Sequence, residues 1–98
     1  MALSKEEAVE KARKDLAKRL KISEDSISTK GVEDTEFPDT ALGAGGRDEM
    51  SGQMLTSGWR IRLEADGKGY EYRANKHQLR LYNFKGSNYQ VSTSEIEQ

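Results

Sequence analysis

The stretch Thr56-Ser57-Gly58-Trp59-Arg60-Ile61-Arg62-Leu63-Glu64-Ala65-Asp66-Gly67-Lys68-Gly69-Tyr70-Glu71-Tyr72-Arg73-Ala74 decides the fold, because it reads as a β-hairpin. Trp59, Ile61, Leu63 and Ala65 alternate with Arg60, Arg62 and Glu64; after Asp66-Gly67 the alternation resumes as Tyr70, Tyr72 and Ala74 against Glu71 and Arg73. Period two on both sides of an Asp-Gly pair predicts two antiparallel strands, with one face buried and the other in water. A two-residue turn pairs Leu63 with Tyr70 and Ile61 with Tyr72, and on the polar face sets Arg62 against Glu71. A four-residue turn opposes Glu64 and Glu71 instead, so the shorter turn is the expectation. On this parity the aromatic residues belong to the core and the arginines to the solvent face.

A half-buried sheet needs a cover, and the N-terminal segment supplies it. Ser4-Lys5-Glu6-Glu7 fits a capping box, in which the Ser4 hydroxyl accepts from the Glu7 N–H and the Glu7 carboxylate from the Ser4 N–H. Val9, Ala12, Leu16 and Leu20 then recur at helical spacing, widened by Ala8 and Ala17. Glu7 with Lys11, Glu10 with Lys14 and Asp15 with Arg19 stand in the favourable i,i+4 order. The spacing predicts a helix over 5–21. A turn at 22–25 follows, then a strand over 26–36 in which Ile27 and Thr29 share a face and Val32 has the opposite parity. A bulge near Lys30-Gly31 restores Val32 to the apolar side.

Regularity stops over 37–54, which contains the one proline and four of the nine glycines. A connection of that length is either functional or disordered as a rule, and Phe37, Leu42, Met50 and Met54 are expected to pin parts of it to the body. Beyond the hairpin, 75–78 reads as a turn and Leu79, Arg80, Leu81 and Tyr82 as a third strand. Lys85-Gly86-Ser87-Asn88 breaks it, leaving Tyr89 onward as a frayed tail or a weak edge strand. The expected fold class is α+β: one N-terminal amphipathic helix on a curled antiparallel sheet of three to four strands, a single domain over 1–84, and a flexible polar tail over 85–98.

Composition narrows the functional classes. Ninety-eight residues suffice for one small domain. With no cysteine, neither a disulfide framework nor a thiolate metal site is available. No apolar run reaches the roughly 18 residues of a membrane span, and Met1-Ala2-Leu3 leads straight into charge. As written the chain is cytoplasmic, or exported if a leader has been removed. A net charge of −1 exerts no general pull on nucleic acid or anionic lipid. Lys11, Arg13, Lys14, Lys18, Arg19 and Lys21 crowd the helix, and Glu24, Asp25, Glu33, Asp34, Glu36 and Asp39 follow it; a solvated helix face and an acidic strand account for both.

One helix followed by an antiparallel sheet resembles the layout of cystatin-like and PepSY-like domains. The wording of the sequence carries a second resemblance. Phe37-Pro38-Asp39-Thr40-Ala41-Leu42-Gly43, the run from Gln53 through Thr56-Ser57-Gly58-Trp59-Arg60-Ile61 to Leu63-Glu64-Ala65, and Tyr70-Glu71-Tyr72-Arg73 are similar to a family of small uncharacterised bacterial domains. Its members read aromatic-Pro-Asp-x-Ser-Leu-Gly-Cys, Gln-x-x-Thr-Pro-Gly-Tyr-Arg-Ile-x-Leu-Glu-Ala and Tyr-Glu-Tyr-His, so the similarity spans about 8–82. This chain has Ala44 and Tyr82 where members often carry cysteines, Ser57 in place of proline and Arg73 in place of histidine. The paired loss of both cysteines suits a reducing compartment. The resemblance implies a fold and no activity.

No catalytic constellation emerges. His77 is the single histidine and falls in the 75–78 turn, with no nucleophile elbow or oriented acid to complete a triad. No ligand spacing suits zinc, and Asp34-Thr35-Glu36 does not continue as a calcium loop. Gly43-Ala44-Gly45-Gly46 lacks the Gly-Lys-Ser/Thr of a P-loop and runs into Arg47-Asp48-Glu49, whose acids repel phosphate. Neither cofactor nor metal is expected. The expected function is a non-enzymatic binding or regulatory domain for protein or peptide, working through the 37–54 loop or an exposed sheet edge, with Phe37, Asp39, Leu42, Arg47 and Met50 as candidate binding residues. Protease inhibition is its specific version by fold analogy. The alternatives are a small hydrolase or isomerase using loop carboxylates, or a nucleic-acid accessory protein, and the chain is expected to be a monomer or an edge-strand dimer.

Overall fold

A computed structural model describes residues 3–45 and 52–91. It consists of a helix α1 (Lys5–Leu20), a short 3-10 turn (Glu24–Ser26) and five strands, β1 (Ser28–Phe37), β2 (Thr56–Ala65), β3 (Lys68–Ala74), β4 (Leu79–Phe84) and β5 (Ser87–Val91). The strands form one antiparallel sheet in the order β1-β2-β3-β4-β5, so each pairs with its sequence neighbour.

The capping box at Ser4 and Glu7 forms in both directions, at 3.1 and 3.0 Å. Glu7 is committed to this cap, while Glu10–Lys14 and Asp15–Arg19 make the i,i+4 pairs. Lys21 ends the helix in the left-handed conformation, its N–H bonded back to Ala17 and Lys18. Ala8, Ala12, Leu16 and Ala17 face Ile61, Leu63, Ala65, Tyr72, Ala74, Leu79 and Leu81, all buried, with Trp59, Tyr70 and Phe84 partly buried around them. Polar ties add to this apolar contact. Arg13 donates to the Thr29 hydroxyl and the Glu24 carbonyl, and the Leu3 N–H donates to the Lys76 carbonyl at 2.9 Å.

Inside this core sits one polar cluster. The buried Tyr72 hydroxyl donates to Asp15 Oδ2 at 2.7 Å, and the same oxygen accepts from Arg19 Nε at 2.7 Å. Burial, reinforced by the Asp15 carboxylate, pushes the Tyr72 phenol well above its ordinary range.

The hairpin has the expected register: Leu63 lies opposite Tyr70, Ile61 opposite Tyr72 and Arg62 opposite Glu71. Asp66 and Gly67 both have positive φ (52° and 77°), as a type I′ turn requires. In β1 the register slips by one residue between Thr29 and Gly31, which brings Val32 opposite Ile61 and onto the helix face.

The sheet has five strands, not three to four. Lys85 and Gly86, at φ 53° and 86°, form a second two-residue turn that folds Ser87–Val91 back along β4 and buries Val91. Asn83 (φ 52°) lies at an irregularity that breaks the alternation after Leu81; its N–H donates to the Asn88 side chain, and Phe84 packs against the helix-side core. The first part of the expected tail is therefore an edge strand, and residues 92–98 fall outside the described residues.

Candidate functional site

The 37–54 segment does more than connect β1 to β2, because residues 38–45 cross the face of the sheet that α1 leaves open. The Asp39 carboxylate starts the crossing by accepting from the N–H groups of Ala41 and Gly43 at 3.0 and 2.9 Å. Leu42 and Gly43 take positive φ (60° and 65°), which turns their carbonyls onto the sheet. Both carbonyls accept from Arg73 Nη1, at 3.1 and 3.2 Å, while Arg73 Nε donates to Glu71 at 2.8 Å. The Arg73 guanidinium carbon lies 3.7 Å from the centre of the Tyr82 ring and 5.2 Å from that of Phe37. Further along, the Ala44 carbonyl accepts from Arg80 and the Gly45 carbonyl from Asn88. Thr40 closes the base of the crossing: its N–H donates to the Gly52 carbonyl and its hydroxyl accepts from the Gly52 N–H.

The expectation that the hairpin arginines all face solvent is corrected here. Arg73 retains 12% side-chain exposure and Arg80 is buried, since the loop provides carbonyls that a guanidinium can meet without water. Where the loop does not reach, Arg60 lies 3.2 Å from Glu71 and Arg62 3.3 Å from Glu33, so cations and carboxylates alternate on the exposed part of this face. Arg60 Nε is buried and meets Glu71 without the alignment of a hydrogen bond.

Of the five residues singled out from sequence, Phe37 and Leu42 are buried at 1% and 0% exposure, and Asp39 is half-buried and spent on loop N–H groups. Arg47 and Met50 lie outside the described residues. The structure gathers the first three into the loop's attachment to the sheet. Gly58 belongs to the same assembly: a Cβ there would collide with the Ala74 carbonyl oxygen and press on the Phe37 ring at 3.2 Å.

A second locality was not singled out in the sequence. On the helix side, a cleft of about 540 Å³ opens among Asp34, Glu36, Ser57, Trp59, Lys76 and His77. Register explains the assembly. Asp34 lies opposite Trp59 and Glu36 opposite Ser57, so these four share the helix face of β1 and β2, and the 75–77 turn closes the far side. Part of the indole packs on the core while the rest forms cleft surface. Asp34 is paired with Lys5 at 2.9 Å; Glu36 and Lys76 have no ion pair among the described residues. The hairpin alternation assigned Trp59 to the core outright and gave no reason to place it beside the 75–77 turn.

Among the described residues no group of three or more His, Asp or Glu side chains is placed to hold a metal ion, and no helix is long and apolar enough to cross a membrane.

The chain belongs to the family described as Domain of unknown function (DUF8738), whose model matches residues 9–82. The matched span takes in most of α1, the loop crossing, the Trp59 wall of the cleft and the start of β4. No curated protein and no solved structure matches the chain.

Proposed function

We propose that this domain is a non-enzymatic binding module that takes up an extended, basic segment of another protein along β1. The observation carrying this reading is the outer edge of β1: ten residues with no strand paired to that edge among the described residues, running directly past the Trp59 cleft. An unpaired edge offers a row of backbone donors and acceptors to an incoming strand. The side chains on β1 choose the partner. Lys30 is paired with Glu64, Glu33 with Arg62 and Asp34 with Lys5, which leaves Glu36 as the β1 charge without an ion pair among the described residues, so a second copy of the same edge meets like charge there while a basic segment meets opposite charge. The bulge at Gly31 further discourages self-pairing and favours a monomer.

Two features favour binding over chemistry on substrates or nucleic acid. The Asp39 carboxylate is engaged by two N–H groups of its own loop, and Arg60, Arg62 and Arg73 each lie beside a carboxylate, not free for phosphate. A cystatin-like or PepSY-like relationship, and with it protease inhibition and a bacterial source, belongs to the same proposal; a single helix laid on an antiparallel meander supports it. The absence of cysteine supports a cytoplasmic setting.

The test is selection from a displayed library of random peptides, followed by amide exchange on the domain with an enriched peptide bound. Enriched sequences should be rich in Lys and Arg, and they should slow exchange of β1 amides between Val32 and Phe37. Enrichment of acidic peptides, or protection that leaves β1 untouched, overturns the reading.

A further inference from the structure

The cleft beside β1 is more selective than the edge itself, because its walls carry opposite charges. On the β1 side stand Asp34, already engaged by Lys5, and Glu36, which has no ion pair among the described residues. On the other side, at the turn after β3, stand Lys76 and His77. β2 separates the two walls, so they are two strand spacings or about 10 Å apart, and Trp59 lies on β2 between them with part of its indole exposed to the cleft. A guest that satisfies all three elements carries a cation at one end, an anion at the other and an apolar stem between. A cation alone would leave Lys76 opposed to it, and an anion alone would face Glu36.

We infer that the cleft receives the C-terminal residue of a peptide ending in Lys or Arg. The side-chain cation meets Glu36, the methylene stem lies on the Trp59 indole, and the terminal carboxylate is taken by Lys76 with His77 beside it. The inference rests on the reading of β1 as a peptide-binding edge and narrows it: the bound segment finishes in the cleft instead of running through it. The volume of about 540 Å³ is ample for one long side chain with its terminal carboxylate.

Trp59 is the single tryptophan of the chain, so its fluorescence reports from the cleft itself. The probes are acetyl-Gly-Gly-Lys with a free C-terminus, the same peptide as its C-terminal amide, and acetyl-Gly-Gly-Glu with a free C-terminus, each titrated into the intact chain. The free Lys peptide should give a saturable change in Trp59 emission, and the amide and the Glu peptide should bind at least about tenfold more weakly. Lys76→Gln should abolish the distinction between free acid and amide, and Glu36→Gln the distinction between Lys and Glu. Both substitutions change exposed side chains, and an unchanged melting curve establishes that the fold is retained. Equal binding of acid and amide by the native chain overturns the terminal-carboxylate assignment while leaving β1 as a binding edge. If none of the three peptides moves the emission, and the selected basic peptides nevertheless protect β1, the cleft assignment alone falls. Loss of both signals removes the edge reading as well.

Discussion

The two faces of the sheet are closed by different means. Beneath α1 the contact is apolar: Leu16, Ile61, Leu63, Leu79 and Leu81 are all at or below 1% exposure, and stability there follows buried area. On the opposite face the cover is a loop without regular structure, which buries Phe37, Ala41, Leu42 and Ala44 and is held in register where Arg73 and Arg80 meet its carbonyls and where Phe37 and Tyr82 flank a guanidinium. Burial of area is tolerant of small shifts and is shared among many side chains. A guanidinium bonded to two carbonyls depends on one residue and on direction. The comparison implies that the helix side determines whether the domain folds, and that the loop side can be released while the domain stays folded.

The largest effect should come from the helix side. Leu16→Ala removes a fully buried side chain between helix and sheet and should cost about 3–5 kcal/mol, seen as a global loss of stability in denaturant titration. A cost below about 1 kcal/mol would mean that the helix contributes little to the core. Arg73→Gln probes the other face. It should cost about 1–3 kcal/mol, and amide exchange of Ala41, Gly43 and their neighbours should quicken while Ile61 and Leu63 remain protected. Equal loss of protection on both faces would show that they do not separate.

A smaller effect, confined to alkaline pH, sharpens the distinction on the helix side. Because the Tyr72 phenol is held above its ordinary value in the folded state, the unfolded chain loses this proton first as pH rises. Its contribution is present in full below about pH 10 and is lost above it, by at most about 1.4 kcal/mol per pH unit. The groups facing the hydroxyl are Asp15 and Arg19, both on α1. Tyr72→Phe should therefore flatten the stability profile between pH 10 and 11 relative to the native chain. An unchanged slope would place the alkaline loss elsewhere.

How much of this was legible follows the same division. The capping box, the Asp66-Gly67 turn and the shift of Val32 at Gly31 all depend on local backbone chemistry and on period two, and the structure contains each of them. β5 was harder to read because Lys85-Gly86 lacks the Asn-Gly or Asp-Gly signature and Asn83 interrupts the parity that would have revealed its partner. Arg73 was assigned to water because alternation separates apolar from polar positions and does not anticipate a loop returning over the polar side. Phe37 and Leu42 gave a sign of that loop's attachment, but the part that depends on carbonyls, which every residue carries, left none in residue identity. The cleft was the least legible feature: Glu36, Trp59 and Lys76 come from three parts of the chain and meet only through strand register.

Sequential pairing of the strands also sets an order of assembly. Each strand hydrogen-bonds to the one before it, so a chain emerging from the ribosome offers every new strand a template already made. The helix, which precedes the strands, has little to lie on until β2 and β3 have paired, since Ile61, Leu63 and Tyr72 all come from later in the sequence. A nascent chain halted after Ala74 would present β3 as a bare edge, with Tyr72 and Ala74 lacking the Leu81 and Leu79 that normally lie beside them. The β4–β5 hairpin acts as a seal on that edge, and a chain that stops just before it carries the edge unpaired.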